Sequence, residues 1–274
     1  MARRRRRRGG RGETGTVIGL VLAVVAILAI LGAGGWLWFG AERPTKRDPE
    51  SLCPADGHLA GITVILIDSS DPLPEIGRRE VKTLLTDIAT GAAVNERIDL
   101  RVMTQEDGGS RVLFSRCNPG DGSDLDEWTA NPTLARKRWI TAFERPLAEA
   151  LGTGLAPHTG EVSPIMSAIQ AIAVDSFTGR AVADLPKSLV IVSDMVENTS
   201  LYSQFRGDLR YDTFKASPAY RQYRTDLGGA AVTLFYIERA ASKLKSVDHV
   251  GFWQQWIDDN RGRFERAHKL QGAG

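Results

Sequence analysis

The stretch GITVILIDSS, residues 61–70, decides the fold. It is a continuous β-branched, apolar run that ends in polar residues, which is typical of a strand buried on both faces of a sheet. KSLVIVSD (187–194) repeats the pattern, and GAAVTLFYIE (229–238) is a further apolar strand. Strands of this kind belong to parallel sheets that are covered by helices on both faces.

Helical segments separate these strands. PEIGRREVKTLLTDIATG (74–91) has apolar residues at helical spacing and ends on a glycine. Further helices are expected at about 133–151, 163–174 and 247–266. IDLRVMTQ (98–105) and RVLFSRC (111–117) are joined by the turn DGG (107–109), so they predict an antiparallel hairpin. The expected fold class is α/β: a doubly wound, mostly parallel sheet with one antiparallel edge strand.

The N-terminal forty residues predict a membrane anchor. No charged residue lies between positions 14 and 41, and the apolar core 17–39 exceeds the roughly 30 Å of a bilayer interior. Six arginines at 3–8 and Arg11 precede it, which favours a cytoplasmic N-terminus. Trp36, Trp38 and Phe39 are placed as interfacial anchors. The alternatives are a cleaved signal peptide, whose apolar run should be shorter, and an arginine run that binds nucleic acid.

The expected organisation has five parts. These are a basic cytoplasmic stub (1–15), a transmembrane helix (16–40), a proline-containing linker (41–60), an α/β domain (61–266) and a tail (267–274). The whole chain has 35 basic and 33 acidic side chains. Removing the seven arginines and Glu13 that precede the span leaves a net charge of about −4, so the basic balance says little about partners of the exported part.

The two cysteines, Cys53 and Cys117, are expected to pair. If 111–117 runs antiparallel, its end returns to the edge of the sheet where 61–70 begins, which brings Cys117 towards the linker. An exported domain permits a disulfide there. The alternative is two separate buried thiols.

Two of the buried strands end in carboxylates. Asp68, Ser70 and Asp71 follow the first strand, and Asp194 ends the strand 187–194. In an open parallel sheet, ligands bind beyond the carboxyl ends of the strands where the winding direction reverses, so Asp68 and Asp194 should be neighbours there. Oxygen ligands of this kind suit Mg²⁺. The alternative is that both aspartates only cap adjacent helices.

These residues resemble the von Willebrand factor A (vWA) family, whose metal-ion-dependent adhesion site begins Asp-x-Ser-x-Ser. Asp68 and Ser70 match the first two positions, Ser163 stands in the place of the family's threonine, and Asp194 matches the last aspartate. Pro72 replaces the second serine, so one hydroxyl ligand is missing, and Asp71 is a candidate substitute. The resemblance covers about residues 60–262 and implies Mg²⁺, or Mn²⁺ or Ca²⁺, as cofactor. It also implies a protein partner whose carboxylate completes the metal's coordination.

The segment 199–226 is the expected partner surface because tyrosine and arginine dominate binding hot spots. Its candidate contacts are Tyr202, Arg206, Tyr211, Tyr220 and Arg224. The alternative is helix packed on the sheet with a solvated charged side. Apolar residues at helical spacing in 252–257 are more readily explained as a core-facing stripe than as a ligand-stacking surface.

The function expected from the sequence is a membrane-tethered, protein-binding vWA-like module of bacterial type. Its domain would be periplasmic or extracellular on a single-pass anchor. The sequence has no HExxH, GxSxG or P-loop and no GxGxxG after its first strand, so catalysis is not expected. A metal-dependent hydrolase at the same aspartates and a metal-free scaffold subunit are the alternatives. Small residues at 32–35 suggest that the span assembles with other helices.

Overall fold

The computed structural model describes residues 13–40, 46–68, 73–104, 109–127, 130–156, 162–206, 208–238 and 244–270. The side chains of 13–16, 37–40 and Arg206 lie outside the description. The chain divides into two compact units, Met1–Thr45 and Lys46–Gly274. The finer domain boundaries expected from the sequence stay a prediction.

The first unit contains one long helix, α1, Glu13–Gly40. Within the described residues, Val17–Trp36 is the one helical stretch long and apolar enough to cross a membrane. Its apolar side chains are exposed. Of the three aromatic residues expected at the interface, the structure describes only the side chain of Trp36.

The second unit is built on a six-stranded sheet of order β3-β2-β1-β4-β5-β6. The strands are β1 Gly61–Ile67, β2 Glu96–Met103, β3 Ser110–Cys117, β4 Lys187–Ser193, β5 Ala231–Tyr236 and β6 Arg263–Lys269. All neighbouring pairs are parallel except β2 and β3. The expected doubly wound sheet with an antiparallel edge is confirmed. The winding direction reverses between β1 and β4.

Helices cover both faces of the sheet. They are α2 Glu75–Thr90, α3 Pro132–Trp139, α4 Arg145–Gly154, α5 Ile165–Ile172, α6 Tyr211–Lys215, α7 Pro218–Gln222 and α8 Ser246–Asp259. A π-helical turn, Ile140–Glu144, joins α3 to α4, and another, Ala173–Phe177, extends α5. The segments predicted at 133–151 and 163–174 are therefore helical, with a widened turn in each.

The widened turn before α4 has a chemical cause. Pro146 has no N–H to donate, so the carbonyl of Ala142 loses its helical partner. Arg116 on β3 donates its Nη1 to that carbonyl instead. The contact fastens the α3–α4 helix to the edge strand of the sheet.

Alternating residues of the central strands form two apolar layers. Ile62, Val64 and Leu66 on β1 pack on the face covered by α5 to α8. Ile65 and Ile67 pack on the opposite face, under α2 to α4. The apolar stripe of α8 is fully buried in the first layer, which confirms its expected role in the core; it consists of Phe252, Trp253, Trp256 and Ile257.

The last helix ends earlier than expected, and a strand follows it. The prediction of a helix to about residue 266 is wrong: α8 ends at Asp259, and Arg263–Lys269 is β6. Asn260 ends the helix by donating its side chain to the Trp256 carbonyl at 2.7 Å, and Arg261 then takes a positive φ of 59°. β6 lies at the edge of the sheet, where charged side chains can face water and no apolar run is needed.

The cysteines form the expected disulfide, Cys53–Cys117. It joins the segment before β1 to the end of β3. The backbone N–H of Cys117 also donates to the Ser51 carbonyl at 2.8 Å, so the same end of β3 is held by a covalent bond and a hydrogen bond.

Candidate functional site

The site lies at the carboxyl ends of β1 and β4, where the winding direction reverses. Ile67 is paired with Val192 in the parallel register, and the Asp68 N–H donates to the Val192 carbonyl at 2.8 Å. Asp68 therefore faces Ser193, and Asp194 is one residue further on. The sequence prediction that both aspartates lie at this switch point is consistent with this register.

The carboxylate of Asp68 is held by two serines. Its Oδ2 accepts from Ser193 Oγ at 2.8 Å and from Ser163 Oγ at 3.3 Å. Ser163 is brought there by a pair of backbone hydrogen bonds with Asn198, both of 3.0 Å. The structure thus brings together Asp68 and Ser163, which the sequence had singled out from positions 95 residues apart.

Asp194 belongs to a tight turn that leaves β4. Its Oδ1 accepts from the Val196 N–H at 3.0 Å, and Ser193 Oγ accepts from the Met195 N–H at 2.7 Å. Met195 takes a positive φ of 61°, a conformation that a non-glycine residue adopts only where its surroundings enforce it. The Trp253 indole supplies part of this constraint by donating to the Met195 carbonyl at 2.8 Å.

A buried glutamate, Glu197, lies close enough to Asp68 for the two carboxylates to interact. Its Oε2 accepts from the Met166 N–H, in the first turn of α5, at 2.8 Å. Its own N–H donates to Gln204 Oε1 at 2.9 Å, and its carbonyl accepts from the Gln204 N–H. Burial, with the nearby charge of Asp68 adding to it, raises the pKa of Glu197 to about 8.

A buried histidine continues this network towards α8. His249 Nε2 lies 3.0 Å from Gln204 Oε1, and its Nδ1 lies 2.9 Å from the Tyr236 hydroxyl. Burial lowers the pKa of His249 to about 4, so the ring is neutral at pH 7. The Trp253 indole Nε1 also lies 3.1 Å from Nε2, so the ring contacts three buried polar side chains.

Sequence reasoning missed five members of the site: Ser193, Glu197, Gln204, Tyr236 and His249. Ser193 had a usable signal, because it directly precedes Asp194 at the end of a buried strand. Nothing in the local pattern of the other four marks them.

The residues expected to hold a metal are only partly described. Ser70 and Asp71 lie outside the described residues. Asp68, Ser163 and Asp194 offer carboxylate and hydroxyl oxygens, which fit a hard cation in kind. Within the described ranges, however, no group of three histidine, cysteine, aspartate or glutamate side chains is arranged to hold a metal ion. The metal site therefore stays a prediction.

The rings of the predicted partner residues in 199–226 pack inward to different extents. Tyr211 is buried, and Tyr202 and Tyr220 are half-buried against Phe214. The hydroxyls of Tyr220 and Tyr211 donate to Asp259 on α8, at 2.7 and 3.0 Å. These bonds, that of Tyr220 first, lower the pKa of Asp259.

The three tyrosine rings therefore join the segment 199–226 to the core. This agrees with the alternative interpretation from the sequence, in which the segment packs on the sheet instead of presenting these rings to a partner. Arg224 is exposed, and the side chain of Arg206 lies outside the description.

Apolar side chains are exposed around the same end of the sheet. Val162 precedes the site serine Ser163, and Leu201 and Phe205 lie in the connection that follows Asp194; they are 40%, 42% and 62% exposed. Exposed apolar side chains near buried carboxylates are typical of a binding surface.

No protein-family model matches the chain, and no curated protein matches it. Solved structures of similar shape include an aerotolerance-related membrane protein from Bacteroides fragilis, with 12% identity, coverage of 76% of this chain and 92% of that one, and a TM-score of 0.35. The VWA domain of SpRpn10 has 12% identity, coverages of 78% and 92%, and a TM-score of 0.37.

A VWA paralog from Sulfolobus acidocaldarius has 8% identity and a TM-score of 0.40, and the match covers 77% of this chain and 42% of that one. The strand order and the single antiparallel edge define a doubly wound α/β fold. At such identities the likeness concerns the fold alone, so function is inferred from the residues of this chain.

Proposed function

We propose that this chain is a membrane-tethered protein-binding module whose contact face is the carboxyl edge of the sheet. The observation that carries the proposal is the Asp68 carboxylate, held at the switch point by the hydroxyls of Ser163 and Ser193. Ligands of open α/β sheets bind at this position. The surrounding apolar side chains of Val162, Leu201 and Phe205 add the exposed area that a protein partner would cover.

The proposed tether is α1. Its segment Val17–Trp36 has the length and composition of a single span, and the arginines at 3–8 and 11 favour a cytoplasmic N-terminus. The module would then act on the periplasmic or extracellular side. The disulfide Cys53–Cys117 supports that placement, because disulfides persist in oxidising compartments.

A divalent cation, Mg²⁺ in the first instance, is the proposed cofactor of the contact face. Asp68, Ser163 and Asp194 would hold it, together with Ser70 and Asp71. When bound, it would supply a positive charge able to accept an oxygen ligand from the partner. The serines keep the Asp68 carboxylate oriented, and the turn at Met195 positions Asp194.

The contact face can be tested with a photo-crosslinking amino acid introduced into the full chain in its native host. Placed singly at Val162, Leu201 or Phe205, the crosslinker is expected to give the same discrete protein adduct. Placed at Val174, which is 62% exposed at the opposite end of α5, it should give none. The proposal is overturned if Val174 yields that adduct as readily as Phe205, or if none of the three positions yields a protein adduct.

The cation can be tested by Mn²⁺ binding to the full chain in detergent micelles, followed by electron paramagnetic resonance. Asp68→Asn and Asp194→Asn are each expected to weaken Mn²⁺ binding by roughly tenfold or more, because each removes a charged oxygen donor. Asp212→Asn, an exposed site on α6, is the matched control. If the wild-type chain binds no Mn²⁺, the cation is discarded and the contact face is that of a metal-free scaffold.

A further inference from the structure

A groove lies along the outer edge of β3, away from the carboxyl edge of the sheet. We call it the β3 groove. Its volume is about 410 Å³. Its lining comes from the segment before β1, from β3 and from the start of α4: Asp48, Glu50, Ser51, Leu113, Phe114, Ser115, Arg116 and Pro146.

One wall of the β3 groove is a rigid loop. Asp48 Oδ1 accepts from the N–H groups of Glu50 and Ser51 at 3.1 and 2.7 Å. Arg47 donates to the Leu52 carbonyl at 3.0 Å, and the disulfide at Cys53 fixes the end of the loop to β3. The wall is therefore formed before any ligand arrives, which lowers the entropy cost of binding.

The floor of the groove offers backbone hydrogen bonds. Cys117 donates its N–H to Ser51, away from β2. Backbone groups two residues apart in a strand point the same way, and the β2–β3 register is regular from Cys117 to Phe114. The N–H and carbonyl of Ser115 therefore also point away from β2, into the groove. An added strand would pair with them, and its first rung would continue the Ser51–Cys117 bond.

The two edges of the sheet differ in their protection. β6 carries Arg263, Glu265, Arg266 and Lys269 within seven residues, and such charges disfavour pairing with another chain. β3 carries two charges, Arg111 and Arg116, and presents Val112, which is 44% exposed, and a half-buried Leu113 between them. β3 is the edge that can accept a strand.

The charge of the lining selects the occupant. Asp48 and Glu50 are exposed, and Glu50 has no ion-pair partner in the described part of the chain. Arg116, the one basic residue of the lining, is engaged by the Ala142 carbonyl. Arg116 keeps its positive charge, so the lining has two carboxylates on the loop wall against one guanidinium, and it is apolar at Leu113 and Pro146.

We propose that the β3 groove binds an extended segment of a partner protein that carries a lysine or arginine, and that this segment adds to β3 as a seventh strand. Main-chain hydrogen bonds to Ser115 would give affinity, and the acidic wall would select the basic side chain. The surface is independent of the carboxyl-edge site, so success or failure of this proposal leaves the proposed function unchanged.

The probes for the test are three fluorescein-labelled hexapeptides: TVKVTV, TVEVTV, and TVKVTV with alternate backbone amides N-methylated. Binding to the full chain in detergent micelles is measured by fluorescence anisotropy. TVKVTV is expected to bind, and N-methylation is expected to weaken it by about tenfold or more, because it removes the donors that pair with β3. Bound TVKVTV should also slow hydrogen exchange at the Ser115 amide.

Two variants sharpen the test. Glu50→Lys is expected to weaken TVKVTV and strengthen TVEVTV, whereas Asp212→Lys on α6 should change neither. Ser115→Pro removes the outward N–H and spares the backbone bonds to β2, although it also removes the Ser115 Oγ bond to Asp99 on β2. It should abolish TVKVTV binding, whereas Ser115→Ala, which loses only that side-chain bond, should still bind the peptide. The proposal is overturned if TVKVTV does not bind at about 1 mM, if the N-methylated probe binds equally well, or if Ser115 exchange is unaffected.

Discussion

Glu197→Gln is expected to remove a fall in stability that the wild-type chain shows between pH 6.5 and about 8. Burial raises the pKa of this carboxyl from 4.5 to about 8 in the folded chain. The folded state therefore keeps a proton that the unfolded state releases near pH 4.5. The stability contributed by that proton is complete below the unfolded pKa and is lost as pH rises through the folded one.

The pH window separates Glu197 from its neighbour His249. Burial lowers the pKa of His249 from 6.5 to about 4, so its contribution is present above pH 6.5 and is lost only as pH falls. Above pH 6.5 the histidine is neutral in both states. Between pH 6.5 and 8, Glu197 alone of these two groups changes stability, by about 1.4 kcal/mol per pH unit at most.

The substitution keeps the hydrogen bond that the site needs. The glutamine oxygen can still accept from the Met166 N–H, while its amide group takes the place of Oε1, which has no hydrogen-bond partner within the described chain. That amide costs about 1–3 kcal/mol at every pH, so the variant is less stable in acid. The difference should reverse towards pH 8.

The measurement is urea unfolding of both chains in detergent micelles at half-unit steps from pH 5 to 8.5. Glu149→Gln, on the exposed face of α4, is the matched control and should follow the wild-type curve. Parallel curves for wild type and Glu197→Gln would show that the buried carboxyl does not hold its proton. The raised pKa of Glu197 would then be wrong.

The fold was predictable because the central strands have one pattern throughout. β1 and β4 are buried on both faces, so each is a continuous apolar run. Such runs are recognised as strands without an alternation of apolar and polar residues. Once β1, β2 and β3 are placed on one side, the rules for parallel connections put β4 next to β1. That step places Asp68 and Asp194 at one edge of the sheet from the sequence alone.

β6 was not predictable from its own pattern. Only Phe264 and Ala267 among its seven residues have half-buried side chains, and they are three residues apart, a spacing that also fits a helix. Its strand conformation follows from pairing with β5, which is a tertiary effect. The nearest local signal was Gly262, which follows Asn260 and Arg261 as a helix-ending sequence.

The buried polar network was also out of reach. The network forms because α8 packs over the β4–α6 connection, which brings His249 to Gln204 and Glu197. The residue spacing within a single helix or strand does not predict such a contact. In the sequence, His249 has no neighbouring residue at a spacing that would indicate a site. Its role follows only from the atoms that contact its two ring nitrogens.

Removal of the Cys53–Cys117 disulfide is expected to lower the free energy of unfolding by about 4 kcal/mol. The two cysteines are 64 residues apart, and the loop-entropy model assigns a closed loop of that size roughly this value. The recommended variant is the pair Cys53→Ser and Cys117→Ala. Cys117 is fully buried, and alanine avoids leaving a hydroxyl there without a partner.

Reduction of the wild-type chain supplies the internal control. Urea unfolding with dithiothreitol should bring the wild type to the midpoint of the double variant, and the reductant should not shift the variant itself. The bridge also holds the loop wall of the β3 groove. TVKVTV should therefore bind the double variant more weakly than it binds the oxidised wild type. A loss of stability below about 1 kcal/mol would mean that the Ser51–Cys117 hydrogen bond and local packing already fix this edge. The disulfide would then mainly fix the loop wall of the β3 groove and would contribute little to the stability of the fold.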